Sequence, residues 1–151
     1  MTTFLTRAGR HFCALLVILF ALASCGGGTP VAAFVPTRMV VFGDEDSLVT
    51  PDGRKYTVNA LSADTTNPGA VNCAANPIWV QRLANDFGLV FPQCNPNNVD
   101  SPSNLSYAAA DAKVADLADQ VTQHLALDAF SSTDLVTLMA GRLDVLELYQ
   151  Q

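Results

Sequence analysis

The chain has 151 residues, half of them hydrophobic, with 8 Lys+Arg against 14 Asp+Glu and a formal net charge of −6. An acidic surface repels nucleic-acid backbones and anionic lipid headgroups, so no nucleic-acid partner is expected. The length suits a single domain, and four cysteines and two histidines are the whole stock of soft ligands and imidazole bases.

Arg7 and Arg10 precede the apolar run from Phe12 to Ala23, which closes in Leu22-Ala23-Ser24-Cys25. Positive charge, a short apolar segment and small residues form the pattern of an export signal, too short for a stable membrane span. Residues 1–24 are therefore expected to be a signal peptide cut before Cys25. The Cys25 thiol then takes lipid, and two or more acyl chains anchor a protein stably in a bilayer. The alternative is an ordinary secretory signal with an incidental cysteine. A retained helix fits poorly, because Gly26-Gly27-Gly28 follows at once. Gly26 directly after the cysteine resembles lipoproteins sent to the outer membrane, so the expected address is the bacterial cell envelope. Removing Arg7 and Arg10 leaves six basic residues against 14 acidic ones, a net charge of −8. Residues 25–37 read as a glycine-rich tether stiffened by Pro30 and Pro36. Residues 38–151 read as the folded domain.

In that domain Arg38–Phe42 is a short apolar run ended by Gly43-Asp44, a pattern predicting a buried strand and a turn. Tyr56–Leu61 predicts a brief strand, and 62–73 a polar loop with Pro68-Gly69 inside it. Asn76-Pro77 is expected to open a helix in which Ile78, Trp79, Leu83 and Phe87 recur at helical spacing and Gly88 ends it. Trp79, Phe87 and Phe91 read as core or helix-packing residues. Residues 90–106 predict a long loop. Lys113–Leu127 predicts a second helix with Val114, Leu117, Val121 and Leu125 as its apolar stripe. His124 lies beside that stripe. Leu135–Ala140 predicts a second buried strand closed by Gly141, and a third helix begins at Asp144. Strands alternating with helices argue for an α/β fold with a parallel sheet.

Cys13 leaves with the signal and Cys25 is lipidated, so Cys73 and Cys94 remain. They bracket the first predicted helix in a compartment that favours disulfides. A bridge or two free thiols are both open; a metal site is not favoured, since no His or third Cys lies near them.

Chemistry is sought at the end of the first strand, because ligands of open α/β sheets bind outside the carboxyl ends of the strands. Ser47 is a hydroxyl at that edge. Asp44-Glu45-Asp46 reads either as a cation cluster or as a solvated acidic turn, the latter preferred because three consecutive carboxylates do not converge on one ion unaided. No cofactor is expected: the turn lacks G-x-G-x-x-G, and its carboxylates repel phosphates.

Val40-Val41-Phe42-Gly43-Asp44 followed by Ser47 resembles the first block of the SGNH, or GDSL-type, serine hydrolases. Asn76-Pro77-Ile78-Trp79-Val80 with Leu83-Ala84 resembles the helix ahead of their second block. Residues 104–112 (NLSYAAADA) resemble that block, and Asp134–Leu138 with Gly141-Arg142-Leu143-Asp144 resembles the third. The likeness spans residues 38–151. It implies a three-layer, flavodoxin-like parallel sheet, of which this chain carries the N-terminal half. It also implies hydrolysis of a lipid or other ester with Ser47 as nucleophile, an oxyanion region at Gly141 and Ala110, and no cofactor. The chain departs from the family in naming Glu45 where the serine follows Gly-Asp, Asp111 for the second-block glycine and Leu143 for the third-block asparagine. It contains no Asp-x-x-His, the block that carries the family's base. The second implied reading is therefore a non-catalytic remnant or binding lipoprotein.

Overall fold

The computed structural model describes residues 32–150 apart from 57 and 64–66. The expected signal peptide, Cys25 and the tether as far as residue 31 lie outside the described residues. The compact unit that carries the fold is Phe34–Gln151, and its first hydrogen bond to the sheet region is Thr37 N to Thr133 O, 3.0 Å. Among the described residues no helix is long and apolar enough to cross a membrane.

The protein has a small α/β fold built on a three-stranded parallel sheet. Strand β1 (Arg38–Gly43) lies in the middle, flanked by β4 (Leu105–Ser106) and β5 (Asp134–Met139). A separate antiparallel ribbon pairs β2 (Ala60–Leu61) with β3 (Val71–Asn72). Among the described residues three α-helices follow the pattern of the chain: α1 (Trp79–Asp86), α2 (Leu117–Leu127) and α3 (Arg142–Tyr149). Every residue of β1 from Met39 onward is buried, as its unbroken apolar run requires of a strand covered on both faces.

The two faces of β1 are covered by different helices. Met39 and Val41 pack with Val49, Val80, Ala84 and Phe91, which places α1 on their side. Phe42 points the other way, where His124 of α2 meets it edge-on at 6.0 Å. Trp79 packs against the first cluster, Phe91 is buried in it and Phe87 is exposed. The disulfide Cys73–Cys94 is formed, with Cα atoms 5.6 Å apart, and ties the chain before α1 to the chain after it. Beside it, buried Lys55 donates from Nζ to the carbonyls of Cys73 (3.0 Å), Ala75 and Asn76 (3.1 Å). Burial pushes the Lys55 ammonium pKa down.

Several sequence expectations change. Helix α1 opens at Trp79, not Asn76; Asn76 instead takes φ +50, and the Ile78 N–H is met by the Gln81 side chain at 3.1 Å. The expected long loop hides β4, whose two residues carry no strand-length pattern. The second helix begins as a 3-10 turn, Val114–Asp116, before becoming α-helical. Its buried face is Gln120 and His124, while Val114 and Leu125 are exposed. The face that meets β1 lies one step around the helix from the expected apolar stripe. Strand β5 is not buried: Val136 and Leu138, in register with Val40 and Phe42, are 47% and 58% exposed because α2 covers β1 and not the edge strand.

Candidate functional site

The carboxyl end of β1 is where three segments converge. Gly43 takes φ +151, and a Cβ built on it would run into the carbonyl of Met139 in β5. Only glycine fits this approach. Asp44 N then donates to Met139 O at 3.1 Å, the last link between β1 and β5. On the other side Ala109 N donates to Gly43 O at 3.1 Å. The side-chain amide of Gln120, reaching from α2, accepts from Gly43 N at 2.8 Å and donates to Gly43 O at 2.9 Å.

The chain next forms a short 3-10 turn, Glu45–Ser47. Asp44 caps it, its carboxylate accepting from Asp46 N at 3.1 Å and its carbonyl accepting from Ser47 N at 3.1 Å. Ser47 is 0% exposed, and its Oγ has no hydrogen-bond partner among the described residues. That hydroxyl lies 3.2 Å from the Cβ position of Gly43, so it sits against the strand end. A buried hydroxyl without a partner is uncommon and calls for a reason.

The acidic turn is not solvated, contrary to expectation. Asp44 and Glu45 are buried, and only Asp46 is partly open. Glu45 survives burial because Arg142 Nη1, at the start of α3, donates to its Oε1; the second oxygen, Oε2, is unpartnered. The same guanidinium donates to the Tyr56 hydroxyl and lies over the Tyr56 ring, 4.3 Å from its centroid. Burial, with Asp44 adding repulsion, raises the Asp46 carboxyl pKa. Among the described residues no group of three His, Cys, Asp or Glu is arranged to hold a metal ion.

The residues expected to form the oxyanion region are Gly141 and Ala110. Gly141 precedes α3 at φ +119, and Ala110 is exposed in the turn after β4. Neither donates to Ser47 Oγ. His124 is fully buried on the opposite face of β1, in an aromatic box with Phe42, Tyr107 and Phe130. Its Nδ1 lies 3.1 Å from the Tyr107 hydroxyl and its Nε2 is unpartnered. It makes no bond to Ser47.

Three residues that shape the site escaped the sequence reading: Gln120, Arg142 and Tyr56. Gln120 left one signal. Leu117, Gln120, Val121 and His124 share a helical face, and polar side chains within an apolar face are often held there by a buried backbone partner. Arg142 and Tyr56 left none, because 86 residues separate them.

The chain was compared with protein-family models, with curated proteins and with solved structures, and nothing matches.

Proposed function

We propose that the chain is a lipid-anchored ester hydrolase of the SGNH (GDSL-type) class, with Ser47 as nucleophile and a low intrinsic rate. One observation carries the reading: a buried serine hydroxyl, with no partner among the described residues, stands against the carboxyl end of the central strand of a parallel sheet. That is the position where open α/β sheets bind ligands. The sheet order β4-β1-β5 with helices on both faces supports the same class, since it is the order expected of the first half of a flavodoxin-like sheet.

In the reaction Ser47 Oγ bonds to the ester carbonyl carbon, the bond from that carbon to the alcohol oxygen breaks, and the alcohol leaves carrying the proton that Ser47 gives up. Water then cleaves the acyl-serine and releases the acid. A positioned general base contributes roughly 10²–10⁴-fold, and Ser47 touches none among the described residues. Slow turnover is the consequence. The expected lipid anchor at Cys25 would hold this domain at a bilayer, close to lipid esters.

A second reading, a binding lipoprotein without turnover, is favoured by the Glu45–Arg142 pair, which fills the strand end with a neutralised ion pair. Hydrolysis of a short p-nitrophenyl ester by the full chain separates the two. Turnover abolished by Ser47→Ala supports the hydrolase; a folded sample with no Ser47-dependent turnover leaves the binding protein.

A further inference from the structure

We propose that Gln120 is a positioning residue for Ser47, a role that rests on the reading of Ser47 as nucleophile. Strand β4 is two residues long, and β1 is six. The β4-facing edge of β1 is therefore left open at both ends. Tyr107 N and Ala109 N still reach Val41 O (2.8 Å) and Gly43 O (3.1 Å) as the chain leaves the sheet. The Gly43 N–H has no backbone acceptor among the described residues, and Gln120 Oε1 takes it. Gln120 Nε2 returns a bond to Gly43 O. One side-chain amide thus does the work of a strand peptide, and Gln120 is 7% exposed, so both bonds are shielded from water.

The clamp acts one step from the turn. On its β5 side Gly43 is wedged against Met139 O, and the next residue is tied to that same oxygen. The turn from Asp44 to Ser47 is closed by the two bonds to Asp44, and the Ser47 hydroxyl lies 3.2 Å from where a Cβ on Gly43 would stand. Rotation of the Gly43 peptide therefore moves Ser47 Oγ with it. Without the amide of Gln120 that peptide is held on the β5 side and by Ala109 alone.

Asn104 supplies the comparison. Its Oδ1 accepts from Met39 N at 2.9 Å, filling the open edge at the other end of β1. Its amide supplies the same kind of acceptor while its Nδ2 has no partner among the described residues, the burial is similar, and Met39 lies five residues before the turn at Asp44. A purely structural amide and a positioning amide are separated by this pair.

The experiment measures hydrolysis of p-nitrophenyl butyrate, with thermal melts, for the full chain and for Gln120→Leu, Gln120→Glu and Asn104→Leu. Gln120→Leu is expected to lower kcat about 100-fold with KM held within about threefold, the loss typical of a reacting group misplaced by about 1 Å. Gln120→Glu keeps the acceptor and loses the donor, so its kcat falls in between. Asn104→Leu lowers Tm while kcat stays within about twofold of the parent. If Gln120→Leu does not fold, Gln120→Glu against Asn104→Asp carries the same comparison. Unchanged kcat in the Gln120 variants, or equal kcat losses in both sets, overturns the inference alone. A parent chain with no Ser47-dependent turnover overturns the hydrolase reading and this inference with it.

Discussion

Arg38 in β1 grips Asp134 in β5 side-on across the parallel pair, Nε donating to Oδ1 at 3.0 Å and Nη2 to Oδ2 at 2.6 Å. The two residues are register partners. The Asp134 side chain is 2% exposed and also accepts from Ser131 N at 2.8 Å. The same guanidinium reaches exposed Asp128 and the carbonyl of Ala129 (3.2 Å) just beyond α2. One arginine therefore bolts the edge strand and the end of α2 to the central strand. Charge-assisted, two-pronged pairs of this kind are the stronger sort.

Removing the buried partner leaves Arg38 facing the strand with its main acceptor gone. Asp134→Ala is expected to cost on the order of 3 kcal/mol. Urea denaturation of the parent and the variant measures the difference; a loss indistinguishable from zero would refute the bolt.

The same pair sets an acid limit. The hydrogen bond from Arg38 chiefly, and that from Ser131 N, hold the Asp134 carboxyl below its ordinary range despite burial. A depressed carboxylate stabilises the folded state above its unfolded pKa of about 4, and that contribution is lost as pH falls through the lower folded value. Tm should therefore fall below about pH 4, and Asp134→Asn should flatten that fall while lowering Tm at neutral pH. Melts recorded from neutral pH downward test both signs.

The Cys73–Cys94 bridge closes a separation of 21 residues around α1. By loop-closure entropy it stabilises the domain by about 3 kcal/mol. The double Cys→Ser variant should lose that amount in denaturant titrations, and a reducing agent should lower the parent's Tm without altering the variant's.

Gly43→Ala tests the strand end. The new Cβ meets backbone of Met139 in β5, which has no rotamer to yield, and φ +151 is strained for alanine besides. A cost of about 3 kcal/mol or more is expected, read as a lowered midpoint of unfolding. An alanine tolerated at full stability would mean that β5 does not approach β1 this closely.

Ser47→Ala separates a structural serine from a functional one. Ser47 Oγ is buried and bonds to nothing described, so removing it should leave stability unchanged or raise it slightly. A structural hydroxyl would instead cost about 1 kcal/mol. The thermal midpoint of the variant, measured beside its ester turnover, reports on both.

The candidate site was legible in the sequence only along the chain. Val40–Phe42, then Gly43, then Ser47 is a local pattern of strand, turn and hydroxyl, and each residue lies where that pattern puts it. The neighbours of Ser47 are another matter. Glu45 reads as a solvated acid until Arg142, 97 residues on, pairs with it. Gln120 has no assigned role in the sequence until Gly43 needs its amide.

Local chemistry in the sequence by itself determined the strands β1 and β5, the bodies of the helices, the glycine at the strand end and the pairable cysteines. Apolar runs, helical spacing and turn residues act over a few positions, so they survive without knowledge of the fold. Only the tertiary structure decided which face of α2 is buried, that β4 exists, that β5 is an exposed edge, and that side-chain amides from Asn104 and Gln120 extend the short strand β4 to the length of β1. These depend on backbone groups that need partners far away in the chain, and a buried N–H without a strand beside it takes whichever side chain the fold brings within reach.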